Sequence, residues 1–294
     1  AMSDKEMYLK VGKIHKEICE KAKPLIKTGE KLLDITKKIE AMVQGAGASL
    51  AFPVNLQLNN LVHYSPLPND ETVIGPKDLI KVDIGIHIDG YIADGAFTIN
   101  FDPAYDDMVS FTEETLENAL KGLKPGMKIS EIGKRLDLSM KDSKYKIIRN
   151  LSGHQLQAWD LHSIKSVPVF ETPNEDLLEE GDALAVEIFI TDGEGWIHSA
   201  PQALIYALTR NLAPVRNANV KKLQNDIFKR RKTLPFTERY VLEHLGYSKV
   251  DFFLLKKTDN LKEYPILVEK PGTKIAQFED VIYVDKDKVI ITTK

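Results

Sequence analysis

The sequence predicts an α/β fold, a body of helices and strands interrupted near its C-terminal end by a helical insertion, and three observations carry that reading. Apolar residues recur every three or four positions at the start of the chain and every second position from Leu79 onward. Strand-like runs at residues 183–190 and 277–284 are separated by residues 204–255, where a helical pattern dominates. Residues 77–84 line up with residues 181–188: each has an Asp turn, then a strand carrying Val, a carboxylate (Asp83 or Glu187) and Ile. That echo hints at two halves related by internal pseudo-symmetry.

Residues 5–22 read as an amphipathic helix, with Met7, Val11, Ile14, Ile18 and Ala22 on one face. A second helix follows Thr28-Gly29, with Leu32, Leu33, Ile35 and Ile39 as its apolar stripe. The Asn- and Pro-rich stretch 55–68 is expected to be loop. From Leu79, Ile80, Val82, Ile84, Ile86 and Ile88 alternate with Lys81, Asp83, Gly85 and His87, which is a strand. Asp89-Gly90 supplies a two-residue turn, and residues 91–101 return as the hairpin partner. Helical patterns resume at 108–120 and 130–140, and within the insertion at 220–230 and 236–245.

With 294 residues, 43% of them hydrophobic, the chain has material for a large buried core. Cys19 is the only cysteine, which excludes an intrachain disulfide and suits a reducing cytoplasm. No apolar run is long enough to span a bilayer, so no membrane partner is expected. The net charge of −3 conceals an asymmetry: residues 207–257 hold 12 Lys or Arg against 4 Asp or Glu.

The hairpin places two acids together. With Asp89-Gly90 as the loop, Gly85 pairs with Asp94, and Asp83 and Asp94 become diagonal neighbours about 7–8 Å apart at the backbone. Such a pair either lies on a solvated face or shares a cation, and this segment does not decide between them. Glu187 sits within Ala185-Val186-Glu187-Ile188-Phe189-Ile190, a run too apolar for a solvent-facing strand. A buried, unpaired carboxylate is costly, and a metal ion is one of the few ways to satisfy it. Glu279 has a similar but weaker setting, because Asp280 follows it. His154 follows Gly153 in a tight Ser-Gly-His turn. Four carboxylates and an imidazole make an oxygen-rich set suited to two divalent ions.

These segments, Lys81-Val82-Asp83-Ile84-Gly85 through Asp94, Gly153-His154, Val186-Glu187 and Ala276-Gln277-Phe278-Glu279, resemble the metal motifs of the methionine aminopeptidases. Ala51-Phe52-Pro53-Val54-Asn55, His63-Tyr64 and Thr233-Leu234-Pro235-Phe236 match as well, and the resemblance runs the length of the chain in order. The insertion between Glu187 and Glu279 is similar to that of the type II branch, and the short N-terminal segment to its archaeal members.

The resemblance implies the pita-bread fold, two pseudo-symmetric halves around a dinuclear metal site. It implies a catalytic body of residues 1–200 and 266–294 with a helical insertion subdomain at 201–265. It further implies removal of the initiator methionine from nascent proteins with a small second residue, by a water activated between two ions (Co, Mn, Fe or Zn). Asp83 would bind one ion, Asp94 and Glu279 would bridge, and His154 and Glu187 would complete the second. Glu187 would also carry the proton from the attacking water to the leaving amine, and His63 would contact the scissile amide. His162, Phe52 and Leu161 would face the substrate, the last two lining the methionine pocket. The partners so implied are nascent-chain N-termini met by a monomer.

Three positions depart from the family pattern: Ile188-Phe189-Ile190-Thr191-Asp192 is bulky, Trp159 replaces a smaller or tyrosyl residue, and Asp280 stands where His is common. The basic residues Lys221, Lys222, Lys229, Arg230, Arg231 and Lys232 form either a solvated helical face or a docking surface for ribosomal RNA. Two rival functions use the same fold. One is a prolidase or Xaa-Pro aminopeptidase, which usually carries a further N-terminal domain; the other is a non-catalytic binding protein, whose relatives have lost metal ligands.

Overall fold

A computed structural model describes residues 1–294. Helices α1 (Asp4–Ala22) and α2 (Leu32–Gly45) lead into the short strands β1 (Ser49–Leu50), β2 (Asn55–Leu58) and β3 (Leu61–Val62). The hairpin β4 (Leu79–Ile88) and β5 (Tyr91–Asn100) is followed by α3 (Asp106–Leu120) and α4 (Ser130–Met140). Strands β6 (Lys146–Ile147), β7 (Gly153–Leu156) and β8 (Ser166–Val167) precede the long β9 (Ala183–Thr191) and β10 (His198–Leu208). The chain ends with α5 (Ala218–Arg231), β11 (Phe236–Thr237), α6 (Lys249–Lys256), β12 (Leu261–Val268), β13 (Ile275–Val284) and β14 (Val289–Ile291).

The hairpin forms in the expected register, Ile88 opposite Tyr91 and Gly85 opposite Asp94. Asp89 and Gly90 both take positive φ (50° and 88°), the conformation that lets a two-residue turn follow the strands' twist. A ten-stranded sheet runs in the order β1-β4-β5-β13-β9-β7-β8, with β2, β6 and β14 attached at its margins. Along β4 and β9 the side chains alternate. Val82, Ile84, Ile86, Leu184, Val186, Ile188 and Ile190 enter one core with α1 to α4, a cluster of 39 buried residues. Burying a side chain of that kind contributes about 1.5–3 kcal/mol, so this face fixes the strand register. The other face carries Asp83 and Glu187 and continues into a second cluster with Ile92, Leu156, Ala183, Ala185 and Val281. Both faces are therefore covered. The internal echo also has a structural counterpart: Asp78 accepts from the Gly75 amide (2.6 Å) and Asp182 from the Glu179 amide (2.9 Å), each closing the turn before its strand.

One expectation is corrected and one is extended. Residues 55–68 are not all loop, because β2 pairs with β4 and β3 with β12. Asn55 and Gln57 alternate with Leu56 as a strand should, but these polar side chains are buried rather than solvated, which disguises the period. The segment 204–255 is helical over most of its length, as expected, but it also contributes the end of β10 and β11 to a four-stranded sheet, β11-β10-β12-β3, on which α5 and α6 pack. Tyr206 and Leu208 of β10 pack with Leu223, Ile227, Phe252 and Leu255, while Leu204 and Ile205 pack with Ile266. A strand buried on both faces shows no alternation, and its apolar run cannot be told from a helix by period. Residues 236–245 likewise split into β11 and a single π-type turn, Tyr240–His244.

Candidate metal centre

Five adjacent strands carry the predicted ligands. Asp83 on β4 faces Ala96 of β5, Ala96 faces Glu279 of β13, and Glu279 faces Glu187 of β9. Asp94 lies two residues before Ala96 on the same face, and His154 of β7 is opposite Ala185, two residues before Glu187. Because side chains alternate with period two, all five point from one side of the sheet.

The donor atoms meet in two groups, Asp94, His154 and Glu279 in one and Asp83, Glu187 and Glu279 in the other, each within 4.8 Å. Glu279 belongs to both. Glu187 thus sits with Asp83, whereas the resemblance put it with His154. Asp94 and Glu279 are 2% and 4% exposed, and one oxygen of each, with Oδ1 of Asp83, is buried without a hydrogen-bond partner. Orphaned buried carboxylate oxygens are costly, and the residues fit oxygen-seeking divalent metal. Burial drives the Asp83 carboxyl up to about 7, against a hydrogen bond from Gln277. Asp94, Glu187 and Glu279 are held well above the usual carboxylate range, by burial first and then by the charge of neighbouring carboxylates, Asp83 among them in every case. Burial lowers the His154 imidazole to about 4, so it is neutral, the form that ligates a cation.

The groups open on a cavity of about 70 Å³. Phe52, His63, Leu161 and His162 all line it, and the structure therefore brings every predicted site residue together. His162 stands exposed at the mouth, its ring 4.5 Å from that of His154. Burial holds the His63 imidazole down to about 4. His63 has a positive φ of 61°, and its amide donates to Oε1 of Gln57 at 2.8 Å. Gln57 donates to Gln277 (3.2 Å), and Gln277 to Oδ2 of Asp83 (3.0 Å), which links the histidine's backbone to the acidic cluster. Gln277 is fully buried and its main chain is held at both ends by the Thr98 hydroxyl.

Sequence reasoning assigned no role to Asn55, Ile205, Pro235 or Tyr264, which complete the lining. Asn55 and Pro235 lie within segments that carried the resemblance. Ile205 and Tyr264 come from β10 and β12, where an apolar or aromatic residue gives no signal of its own. None of the departures lines the cavity. Ile188 and Ile190 point into the main core, Phe189 packs with Val62 and Ile148, and Asp280 accepts from Thr293 (2.8 Å). Trp159 closes over the hairpin tip, its amide on the Gly90 carbonyl and its ring 4.7 Å from His87. Of the basic residues singled out, Lys221, Lys222, Lys229 and Arg230 are exposed, but Arg231 is buried at 6% exposure and cannot belong to a solvated face.

The sequence matches metallopeptidase family M24 over residues 6–286. It is 39% identical to a methionine aminopeptidase of Pyrococcus abyssi, over 99% of this chain and all of that protein. Among solved structures, a thermophilic Arx1 superposes with a TM-score of 0.82 at 18% identity, over 99% of this chain and 91% of that one. Methionine aminopeptidase from Rickettsia prowazekii gives 0.71 at 16%, over 99% and 97%. The fold is thus the two-halved pita-bread arrangement that the family resemblance implies.

Proposed function

The chain belongs to metallopeptidase family M24, and from that premise we propose that it removes the N-terminal methionine of proteins. The observation that carries this is the meeting of two three-ligand groups on the shared Glu279, in a small cavity otherwise lined by Phe52, Leu161, Ile205, Pro235 and Tyr264, two imidazoles and the Asn55 amide. Two divalent ions held by Asp83, Asp94, His154, Glu187 and Glu279 would supply a water acidic enough to ionise near neutral pH and would polarise the scissile carbonyl.

The protein's own residues do the rest. Phe52, Leu161, Ile205 and Tyr264 surround the methionine side chain and exclude water from it. Glu187 accepts the proton of the attacking water and delivers it to the departing amide nitrogen. His63, neutral at pH 7 because of its burial, donates an N–H to the scissile amide and stabilises the charge that builds there. The Gln57–Gln277–Asp83 chain keeps that donor in register with the acids.

The insertion between Glu187 and Glu279 supports assignment to the type II branch, with residues 201–265 as its subdomain. New chains in the cytoplasm are the substrate class this reading implies, met by a monomer. The exposed Lys221, Lys222, Lys229 and Arg230 support contact with ribosomal RNA, and reversing those four charges should abolish salt-sensitive pelleting with ribosomes. No helix is long and apolar enough to cross a membrane.

The decisive experiment is amino-acid release from Met-Ala-Ser and from an Ala-Pro peptide, after chelation and after adding Mn, Co or Fe. Metal-restored cleavage of Met-Ala-Ser alone is expected, with Glu187→Gln losing about 10²–10⁴ in kcat as a general base is removed. Cleavage of the Ala-Pro peptide instead would replace this reading with an Xaa-Pro peptidase. No cleavage of either, with metal stoichiometrically bound, would make the protein a binding module.

A further inference from the structure

Arg231 is the one member of the basic run that the fold takes inside. Its side chain makes no ion pair: Nη1 donates to the Leu50 carbonyl at 2.6 Å and Nη2 to the Pro235 carbonyl at 2.5 Å, while Nε has no partner. The Tyr240 ring lies 5.5 Å from the guanidinium carbon. A charge buried against two neutral carbonyls stabilises little, since the desolvation it suffers offsets most of what the bonds return. What the arrangement supplies is geometry, because a planar fork fixes two acceptors relative to each other.

Those acceptors belong to the two segments that wall the substrate cavity. Leu50 pairs with Ile86 on β4, and two residues later Phe52 lays its ring over Gly85, where a Cβ would come within 2.1 Å of it. Pro235 lines the cavity itself, and its neighbour Leu234 is fully buried in the cluster that contains Phe52 and Leu161. A second cavity of about 860 Å³ is lined by Leu50, Pro53, Val54, Pro235, Phe236 and Arg231 itself, so that Pro235 borders both cavities. Two segments distant in sequence, residues 50–55 and 231–236, contribute to the linings of both cavities.

We propose that Arg231 is a positioning residue for substrate selection: by tying the Leu50 and Pro235 carbonyls together it holds Phe52 and Pro235 at the spacing that admits an unbranched methionine side chain and refuses a branched one. It touches neither substrate nor metal ligand and acts through the wall. Without the fork, the two segments separate, and the substrate cavity loses its shape while the acids, on other strands, keep theirs.

The inference rests on the function proposed above, and its test separates the two. Metal-loaded wild type, Arg231→Met and Arg231→Lys are compared for kcat and KM on Met-Ala-Ser and Leu-Ala-Ser, and for L-methionine affinity by calorimetric titration, which needs no turnover. Arg231→Met should lower the Met-over-Leu ratio of kcat/KM about tenfold, mostly through KM for the methionine peptide, with kcat within about twofold. Methionine affinity should fall by the same factor. Arg231→Lys, a single point donor, should lie between, and decides the matter should the Met variant not fold. A purely structural role would shrink the active fraction, scaling kcat on both peptides alike. An unchanged ratio and unchanged methionine affinity in a folded variant would overturn the proposal, and a wild type that neither cleaves nor binds methionine would overturn the function with it.

Discussion

At the scale of single residues, the interior holds polar groups whose burial is costly unless each has a task. His15 of α1 is 2% exposed, its Nε2 lies 2.7 Å from the Ile84 carbonyl, and burial pulls its imidazole down to about 4 despite bonds to main-chain Ile84 and Gly95. Unfolded, the same group titrates near 6.5. Between those values the unfolded chain binds the extra proton, so folding stability is complete above about pH 6.5 and declines as pH falls toward about 4. His15→Gln keeps a donor for Ile84 without titrating. Urea midpoints at pH 7.5 and 5 should show a slope reduced by up to ~1.4 kcal/mol per pH unit relative to wild type. An unchanged slope would mean that His15 binds its proton equally in the folded and unfolded chain. The residues that sequence reasoning read well were those whose type clashes with their surroundings: Asp83 among isoleucines, Glu187 in an apolar run. Gln57, Gln277 and Arg231 stayed illegible because their burial, not their identity, gives them a role, and burial of a polar side chain follows from partners far along the chain.

Among elements, the long period-two and helical segments were legible and the short or doubly covered ones were not. β4–β5 could be registered to the residue because Asp89-Gly90 admits one tight turn. β2 was hidden because its polar face meets the site, and β10 because both its faces are buried. The seat of α1 was also illegible, since it depends on the last residues of the chain. A Cβ at Gly12 would lie 2.0 Å from the Thr292 carbonyl oxygen, a backbone atom that no rotamer change can move. Thr292 and its neighbour in turn clamp β13, through the Thr292 amide on the Val281 carbonyl (2.9 Å) and the Val281 amide on the Thr293 hydroxyl (3.0 Å). In a free helix Gly→Ala would gain about 1 kcal/mol. Here overpacking, which costs about 1–3 kcal/mol or more, should outweigh it. Gly12→Ala is expected to unfold at lower urea with an unchanged m-value, and a raised midpoint would show that the helix does not press on the terminus as described.

The whole molecule is organised by the meeting of two halves over a patch of like charge. Asp83 and Asp94 come from the first hairpin, whereas His154, Glu187 and Glu279 come from β7, β9 and β13, so the donor set exists only when the sheet is complete. An ion that binds this set and not the unfolded chain must stabilise the fold by mass action, about 2.7 kcal/mol at a hundredfold excess over Kd. For a chain of this size that corresponds to a rise in Tm of roughly 5 °C. Scanning calorimetry of protein treated with chelator and then with Mn should show that increment. Glu279 is the one residue common to both donor groups, while His154 belongs to one. Glu279→Gln should therefore collapse the metal-dependent increment in Tm almost entirely, and His154→Ala should leave a measurable part of it. Equal increments in the two variants would mean that the two donor groups do not share Glu279 in solution, and would undo the account of the site as two groups joined by one carboxylate.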